Sequence, residues 1–269
     1  MTGPDRRGDL GRPIRVVLIR GRFQPRAAQR FYVLLDQNPE IELVGCLCQS
    51  AGEGLAERLR DAWRRRGVLA APILASQAAG AVGRFVLQPR LELGLRRRLA
   101  AIDRRTELVP DVHAPTVLER VRRLDPDLGV IYGGPILRPE LFEIPRFGTL
   151  SIHHGRLPEY RGRKTTFWEM DEGRPTAGVA VQRIGAGLDT GDIMAEGAVA
   201  IGDKSYLRVW REVQDLGVTL YLDAILQIKR GTASPRPQTG RPGRLYRDPS
   251  WLPVLRLGWR QMRKRWGPG

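Results

Sequence analysis

Residues 149–162 have the sequence TLSIHHGRLPEYRG and decide the fold prediction, because they join a buried strand to a tight turn. Side chains alternate along a strand, so Ser151 and His153 point to one face and Ile152 points to the opposite layer. Gly155 and Pro158 then interrupt the pattern, which predicts a turn directly after the strand. A hydroxyl and an imidazole are therefore expected side by side at a strand end.

A second stretch, GLDTG at residues 187–191, places a carboxylate on a loop bracketed by glycines. An imidazole beside a carboxylate is held in one tautomer and becomes a stronger base, which suits proton removal near neutral pH. The two stretches predict a proton-transfer site made of His153 and Asp189. The alternative is a buried structural histidine and a turn-forming aspartate, because neither spacing is a strong motif by itself.

The hydrophobic pattern predicts an α/β protein. Apolar runs at residues 13–19, 41–47 and 128–132 are typical of buried strands, and residues 26–37 and 114–124 fit helices. Strands that alternate with helices indicate a Rossmann-like, mostly parallel sheet flanked by helices, with functional sites at the carboxyl ends of the strands. With 269 residues, 42% of them hydrophobic, the chain can bury the core of one large domain.

Three parts of the chain are distinguished. Residues 1–12 are expected to be a mobile basic tail, residues 13–235 the catalytic domain, and residues 236–269 a linker and a short basic amphipathic tail. The linker signal is the Pro-rich and Gly-rich composition from residue 231 to residue 243. Residues 50–105 are rich in Ala, Leu and Arg, which predicts helices with a link near Gly80 and Gly83.

The turn after the first strand, RGRFQP at residues 20–25, lacks the three-glycine dinucleotide fingerprint. We therefore expect no NAD or FAD site. The three histidines and two cysteines also lack the spacing of metal ligands, since Cys46 and Cys48 are too close together for a zinc site and have no partner pair. No metal is predicted.

Four stretches occur in one order: IYGGPIL at 131–137, the stretch at 149–162, TAGVAV at 176–181 and GLDTGDI at 187–193. This ordered set resembles the formyltransferase family that uses 10-formyltetrahydrofolate, which includes methionyl-tRNA, glycinamide ribonucleotide and sugar N-formyltransferases. The resemblance extends over residues 120–235. It implies an enzyme that transfers a formyl group from 10-formyltetrahydrofolate, as co-substrate, to an amine.

The resemblance assigns catalytic positions to His153, Asp189 and Ser151. In the family, an asparagine that stabilises the oxyanion stands where this chain has Ser151. A serine hydroxyl can also donate a hydrogen bond, but its reach is shorter and requires a bridging water or a shifted substrate. Loss of one oxyanion donor costs on the order of 3 kcal/mol, or about a hundredfold in rate. An altered active site, a slow enzyme and a non-catalytic folate-binding relative all remain open.

The resemblance also implies a pterin site and an acceptor site. The pterin would be bound by Tyr132, Pro135, Ile136, Leu137, Phe142, Gly187 and Leu188. For Ile136 and Leu137 the alternative is ordinary core packing at a strand end. The acceptor side would hold Arg161, Arg163 and Lys164, which can bind an anionic group, although a loop with three cations can also simply be solvated.

The expected acceptor is a small or sugar-borne amine. Methionyl-tRNA formyltransferase has a further C-terminal domain, and the residues after the linker are too few to form it, which argues against aminoacyl-tRNA. The main alternative is a hydrolase that releases formate from the same folate, with water in place of the amine. Identity of the amine and the number of subunits are not predicted from the sequence.

The last residues fit an amphipathic helix. Its apolar stripe contains Trp251, Leu255, Trp259, Met262 and Trp266. Its basic residues are Arg256, Arg260, Arg263, Lys264 and Arg265. Such a helix can lie on an anionic membrane surface, giving peripheral membrane contact through residues 251–266. The alternative is that the stripe packs onto the core and the arginines face water.

The formal net charge of +16 raises the question of nucleic-acid binding. The 45 basic residues comprise 41 arginines and 4 lysines, a bias that a GC-rich genome produces without selection for nucleic acid. RNA binding is therefore a minor alternative. Two cysteines, the lack of a secretory signal and the lack of an apolar run of about 18 residues predict a cytoplasmic protein, membrane-peripheral if the tail binds lipid.

Overall fold

The computed structural model describes residues 10–22, 24–50, 89–239 and 243–266. Most of the expected N-terminal tail, the link near Gly80 and Gly83, and part of the Pro-rich and Gly-rich linker lie outside these residues. The elements in chain order are β1 (Ile14–Gly21), α1 (Arg26–Gln37), β2 (Ile41–Gln49), α2 (Pro89–Arg104), β3 (Thr106–Val109), α3 (Pro115–Arg123), β4 (Leu128–Ile131), α4 (Pro139–Phe142), β5 (Thr149–His153), β6 (Tyr160–Gly162), α5 (Thr165–Asp171), β7 (Thr176–Arg183), β8 (Ile193–Ala200), α6 (Tyr206–Lys229), β9 (Arg244–Tyr246) and α7 (Trp251–Trp266).

Seven of the described strands form one sheet in the order β3-β2-β1-β4-β5-β7-β8. The first five of these strands are parallel, whereas β7 runs antiparallel to β5 and β8 runs antiparallel to β7. This arrangement confirms the predicted Rossmann-like, mostly parallel sheet. The residues of β1 are nearly all buried, as expected of a strand covered on both faces, while β8 alternates between buried or half-buried and exposed residues, as expected at an edge.

Helices cover both faces of the sheet. Ile14, Val16 and Leu18 pack with α1 and α6 on one face, and Val17 and Ile19 pack with α3 and α4 on the other. This division follows from the alternation of side chains along β1. Aromatic residues fill the first layer, where the rings of Phe31 in α1 and Tyr221 in α6 stack with centroids 4.4 Å apart.

The chain after α6 packs against the rest of the structure. Ile193 and Arg236 form an antiparallel bridge at the start of β8, and β9 pairs in parallel with β6 in a separate two-stranded sheet. The predicted linker is therefore docked over part of its length.

The orientation of α7 does not fit the packed alternative in the sequence analysis, because most of the apolar stripe is exposed. Its basic residues Arg256 and Arg260 bind the buried carboxylate of Asp171 in α5, and Leu257 is its buried apolar residue. The exposed large apolar residues of α7 are Trp251, Leu252, Val254, Leu255, Trp259 and Met262. Among the described residues, no helix is both long and apolar enough to cross a bilayer.

Candidate functional site

The site lies where β4 and β5 end side by side. Ile131 of β4 pairs with Ser151 of β5, and the chain turns away from both strands shortly afterwards. The hydroxyl of Tyr221, reaching from α6, accepts the N–H of Ile131 at 3.1 Å and donates to the carbonyl of Leu150 at 2.6 Å. This buried tyrosine therefore fixes the two strands to each other just before the candidate residues begin.

His153 is the last residue of β5 and is almost fully buried. Its Nε2 atom lies 2.6 Å from the carbonyl oxygen of Tyr160, and its Nδ1 atom lies 3.5 Å from Oδ1 of Asp189. A separation of 2.6 Å from a carbonyl oxygen requires a proton on the nitrogen, so the neutral ring carries its proton on Nε2. The tautomer is therefore fixed by the Tyr160 carbonyl and not by Asp189, which the sequence analysis expected to fix it.

Burial is the main influence on the charge of this ring. It lowers the pKa of His153 below its usual value, and the Arg161 guanidinium lowers it further, while the Asp189 carboxylate and the Tyr160 carbonyl oppose them. His153 is accordingly neutral at neutral pH, with its lone pair on Nδ1. A proton accepted there would create an imidazolium 3.5 Å from the Asp189 carboxylate.

Asp189 is held on both carboxylate oxygens. Oδ1 accepts a hydrogen bond from Nε2 of Gln182 at 3.0 Å, and Oδ2 accepts one from the backbone N–H of Gly162 at 2.9 Å. Asp189 itself has a left-handed backbone with φ of 53°, a conformation that aspartate tolerates better than most residues. The loop therefore directs this carboxylate inward, where its side chain is only 15% exposed.

Gly162 can make its contact with Asp189 because it has no side chain. Its φ is 93°, and an added Cβ would lie 2.3 Å from the carbonyl oxygen of Tyr246 in β9. One residue earlier, the guanidinium of Arg161 donates to the carbonyl of Leu188 at 3.0 and 2.7 Å. Strand β6 is thus joined to the 187–191 loop by the backbone N–H of Gly162 and by the side chain of Arg161.

Ser151 lies on the same strand as His153, with Ile152 between them directed toward α6. An added Cβ on Gly217 of α6 would meet Ile152 at 2.6 Å, which shows how closely that side chain approaches the helix. Ser151 and His153 consequently share the opposite face, as the alternation predicts. Ser151 is half-buried and pairs with Gln182 of β7 in register.

The residues predicted to bind a pterin fall into two groups. Tyr132, Leu137 and Phe142 are buried, the last two in the core cluster beneath α3 and α4. Ile136 and Leu188 are 80% and 47% exposed. The core alternative therefore fits Leu137, and Ile136 is free to contact a ligand.

The remaining predicted pterin residues are Pro135, which is half-buried, and Gly187, which is exposed. The carbonyl oxygen of Leu188 accepts hydrogen bonds from Arg161, so the backbone of this loop is already partly engaged within the protein. The assignment of a pterin to these positions stays a prediction.

The cations predicted to bind the acceptor make contacts within the protein. Arg161 binds the 187–191 loop, Arg163 lies 3.2 Å from a carboxylate oxygen of Asp248, and the Lys164 ammonium lies 5.9 Å from the ring centre of Trp210. Their role in acceptor binding stays a prediction.

The two other histidines lie in structural surroundings. His154 faces the Tyr132 hydroxyl at 3.2 Å, and burial lowers its pKa to about 3. His113 lies 3.2 Å from an Asp111 carboxylate oxygen and accepts the N–H of Arg138 at 3.1 Å.

Sequence reasoning missed three side chains around the site: Gln182, Gln238 and Glu169. Gln182 is a buried polar residue directly after the TAGVAV stretch at 176–181, and that position was an available signal. Glu169 accepts the backbone N–H groups of Arg156 and Gly178, which anchors the turn after His153 to β7. Burial raises the pKa of Glu169 to about 7.

Within the described residues, no group of three or more His, Cys, Asp or Glu side chains is arranged to hold a metal ion. The chemistry that the geometry supports is proton transfer at Nδ1 of His153 beside a fixed carboxylate.

The candidate site lies in a region that is similar to a known protein family. The formyl transferase family model matches residues 102–225, which include the whole of β4, β5, β7 and the 187–191 loop. This region is therefore similar to formyltransferases. The resemblance inferred from the ordered motifs is thus confirmed.

Curated relatives of this formyltransferase region are methionyl-tRNA formyltransferases. The protein from Bordetella pertussis is 33% identical over 175 residues, covering 64% of this chain and 52% of its own length. Across eight such relatives the matches span between 29% and 56% of the relative's length, so the chain corresponds to part of each of them.

Solved structures share the fold, and one of them is a formyltransferase. A sugar N-formyltransferase from Shewanella sp FDAARGOS_354 matches with a TM-score of 0.57 and 12% identity over 91% of this chain and 86% of its own. HypX from Aquifex aeolicus, solved in complex with tetrahydrofolic acid, matches with a TM-score of 0.55 and 19% identity over 95% of this chain and 35% of its own.

Proposed function

We propose that the chain transfers a formyl group from 10-formyltetrahydrofolate to a small or sugar-borne amine. The observation that carries this proposal is the meeting of His153 and Asp189, 36 residues apart in sequence, within the region that matches the formyltransferase family. One imidazole and one fixed carboxylate at a strand end suit a reaction in which a proton must leave an attacking amine and reach a leaving nitrogen.

The proton route follows from the tautomer. The amine nitrogen forms a bond to the formyl carbon, and Nδ1 of His153 takes the amine proton while Nε2 stays bound to the Tyr160 carbonyl. Asp189 stabilises the imidazolium that results. When the bond between the formyl carbon and the folate nitrogen breaks, the same proton passes to that nitrogen. Ser151 donates a hydrogen bond to the oxyanion in place of the family asparagine.

A folate co-substrate fits the residues at this edge of the sheet. Ile136 and Leu188 are exposed apolar side chains on the two loops that the family uses for the pterin, and Gly133 has open space where a side chain would be. When bound, the folate supplies the activated formyl group. The side chains of this chain position it and move the proton.

The charge distribution favours a small acceptor over a nucleic acid. Many arginines are engaged in ion pairs within the chain, including Arg12 with Asp127, Arg30 with Asp215 and Arg105 with Asp36. A phosphate-binding surface needs cations that are available to the ligand. The total of 45 basic residues therefore overstates the number of cations that an RNA would meet.

The test incubates the chain with 10-formyltetrahydrofolate and a panel of amino sugars, nucleotide-linked amino sugars and amino acids, and detects the mass gain of one formyl group. Formylation of at least one amine supports the proposal. Consumption of the donor without any acceptor would instead identify a hydrolase, and calorimetric folate binding with no turnover would identify a non-catalytic binder. A companion arm with initiator methionyl-tRNA tests the acceptor of the curated relatives.

The proposed partners include an anionic membrane surface bound by α7. This helix is fastened to the protein by Arg256 and Arg260, while Trp251, Leu255 and Trp259 are each more than half exposed. Tryptophan and leucine on one face, with further basic residues toward the helix end, match helices that lie in a lipid interface. An enzyme bound to a membrane surface would suit an amine carried on a lipid-linked sugar.

Sedimentation with vesicles of phosphatidylcholine and phosphatidylglycerol tests this partner. The double variant Leu255→Ser with Trp259→Ser should stay in the supernatant while the wild type sediments, and added salt should weaken the wild-type binding. Leu207→Ser is the matched control, because Leu207 is a similarly exposed apolar residue on α6. Equal sedimentation of wild type and double variant would contradict membrane docking. So would a wild type that binds no vesicles but forms a dimer, if the double variant is a monomer.

A further inference from the structure

Gln238 lies in the Pro-rich and Gly-rich segment after α6, beyond the residues that match the family model. Its amide nitrogen donates to the backbone carbonyls of Gly191 at 2.7 Å and Asp189 at 3.2 Å. The same nitrogen lies 3.3 Å from Oε1 of Gln182. One side chain therefore contacts both ends of the turn that carries Asp189 and a neighbouring residue that binds its carboxylate.

The amide orientations form a consistent chain. The carbonyls of Asp189 and Gly191 can only accept, so the nitrogen of Gln238 must face them. Because the Gln238 nitrogen is a donor, the Gln182 atom that faces it is the oxygen Oε1. The nitrogen of the Gln182 amide therefore faces Asp189 and donates to its Oδ1 at 3.0 Å. The oxygen fixed in this way is the one that faces Nδ1 of His153.

The segment that carries Gln238 is itself anchored. Ile193 and Arg236 exchange two backbone hydrogen bonds of 2.8 Å, and the Arg236 guanidinium binds Glu196 at 2.7 Å. These contacts place Gln238 two residues from a fixed point at the start of β8. Its position is thus set independently of the loop that it contacts.

From this network we infer that Gln238 is a positioning residue, which holds the Asp189 turn and, through Gln182, aims the Asp189 carboxylate at His153. The inference rests on the proposed function, since it assigns a role in the same site. It also makes the predicted linker part of the active centre. A misplacement of about 1 Å in a reacting group can lower the rate by about a hundredfold.

Gln238→Ala should lower kcat for formyl transfer by about tenfold or more and change KM little, because the contact aims a catalytic group without binding substrate. Gln238→Glu should be at least as impaired, since a carboxylate cannot donate to the two carbonyls. Ser234→Ala is the matched control, because Ser234 is an exposed side chain of the same segment. The control should keep the wild-type kcat.

A second measurement does not depend on activity. The groups that act on the His153 ring are Asp189, Arg161, the Tyr160 carbonyl and the adjacent His154. Since the Asp189 charge raises the pKa of His153, a displaced carboxylate should lower that pKa in Gln238→Ala, as read from imidazole nitrogen shifts in an NMR titration. Asp189→Asn gives the largest expected shift, and Ser234→Ala should give none.

Unchanged kcat together with an unchanged His153 pKa in Gln238→Ala would overturn the inference. A lowered His153 pKa in a chain that formylates no amine would uphold the positioning role and reject the proposed function. If Gln238→Ala loses kcat only because part of the protein unfolds, and the folded fraction keeps the wild-type pKa of His153, then Gln238 has a structural role alone. That result would also overturn the inference.

Discussion

Nε2 of His153 donates a hydrogen bond to the carbonyl oxygen of Tyr160 across 2.6 Å. Tyr160 begins the short strand β6, so the backbone that follows the turn returns to orient the imidazole that precedes it. The reactive lone pair is consequently on Nδ1, and the carboxylate that faces Nδ1 is that of Asp189.

The tautomer of His153 is the first expected outcome. At neutral pH we expect a neutral ring protonated on Nε2, because burial lowers the pKa of His153 and the Tyr160 carbonyl requires a donor. Long-range proton–nitrogen NMR spectra of labelled protein identify which nitrogen carries the proton, and His153→Gln assigns the signal among the three histidines. A protonated Nδ1 with a bare Nε2 would refute this assignment.

The stability of the fold should depend on pH through Glu169. Its folded pKa, raised to about 7 from 4.5 by burial, lies above the unfolded value. The protonated side chain therefore contributes stability that is complete below the unfolded pKa and is lost as the pH rises through the folded pKa, by about 3 kcal/mol in total. Glu169→Gln cannot ionise and should avoid this loss.

Urea unfolding of wild type and Glu169→Gln at about pH 5 and about pH 8 measures the effect, since the difference between the two proteins cancels all other titrating groups. The free energy of unfolding of Glu169→Gln should increase relative to that of the wild type as the pH increases. A difference that stays constant over this range would show that Glu169 does not titrate as its burial implies.

Ser151 offers a test of the departure from the family. Ser151→Asn restores the amide donor of the family and should raise kcat by up to about a hundredfold, whereas Ser151→Ala should lower it. Steady-state kinetics with the best acceptor from the amine panel provide the measurement. A slower Ser151→Asn enzyme would mean that the serine site is adapted to its own substrate geometry and that the missing amide is no defect.

The attachment of α7 depends on one buried carboxylate. The Asp171 side chain is 1% exposed and binds both Arg256 and Arg260. Replacing both arginines by alanine leaves that carboxylate buried without its partners and should cost roughly 3 kcal/mol of unfolding free energy. Adding Asp171→Asn should recover part of the loss, while Arg263→Ala should have little effect. Equal stability of the double variant and wild type would show that α7 is not held by this pair.

The central sheet could be predicted because its signal is local. The apolar runs that form β1, β2 and β4 are long enough to identify buried strands, and α1 was predicted with the bounds that the structure has. The pairing of His153 with Asp189 was predicted from the order of motifs. Both successes depend on residue identities that sequence displays directly.

Other features depend on contacts that a sequence does not display. The Tyr160 carbonyl is a backbone atom, so no residue identity marks its bond to His153. Gln238 lies 49 residues from Asp189 in a segment whose composition indicates a linker. The helical period of α7 shows that it has two faces, but only the position of Asp171 decides that Arg256 and Arg260 attach the helix to the protein.

The rate of formyl transfer by His153→Gln, relative to wild type at saturating donor and acceptor, tests the central claim most directly. Glutamine can still donate to the Tyr160 carbonyl but cannot accept a proton, so we expect a rate lower by about a hundredfold or more with an unchanged unfolding midpoint. A folded His153→Gln variant that transfers the formyl group as fast as wild type would contradict the account.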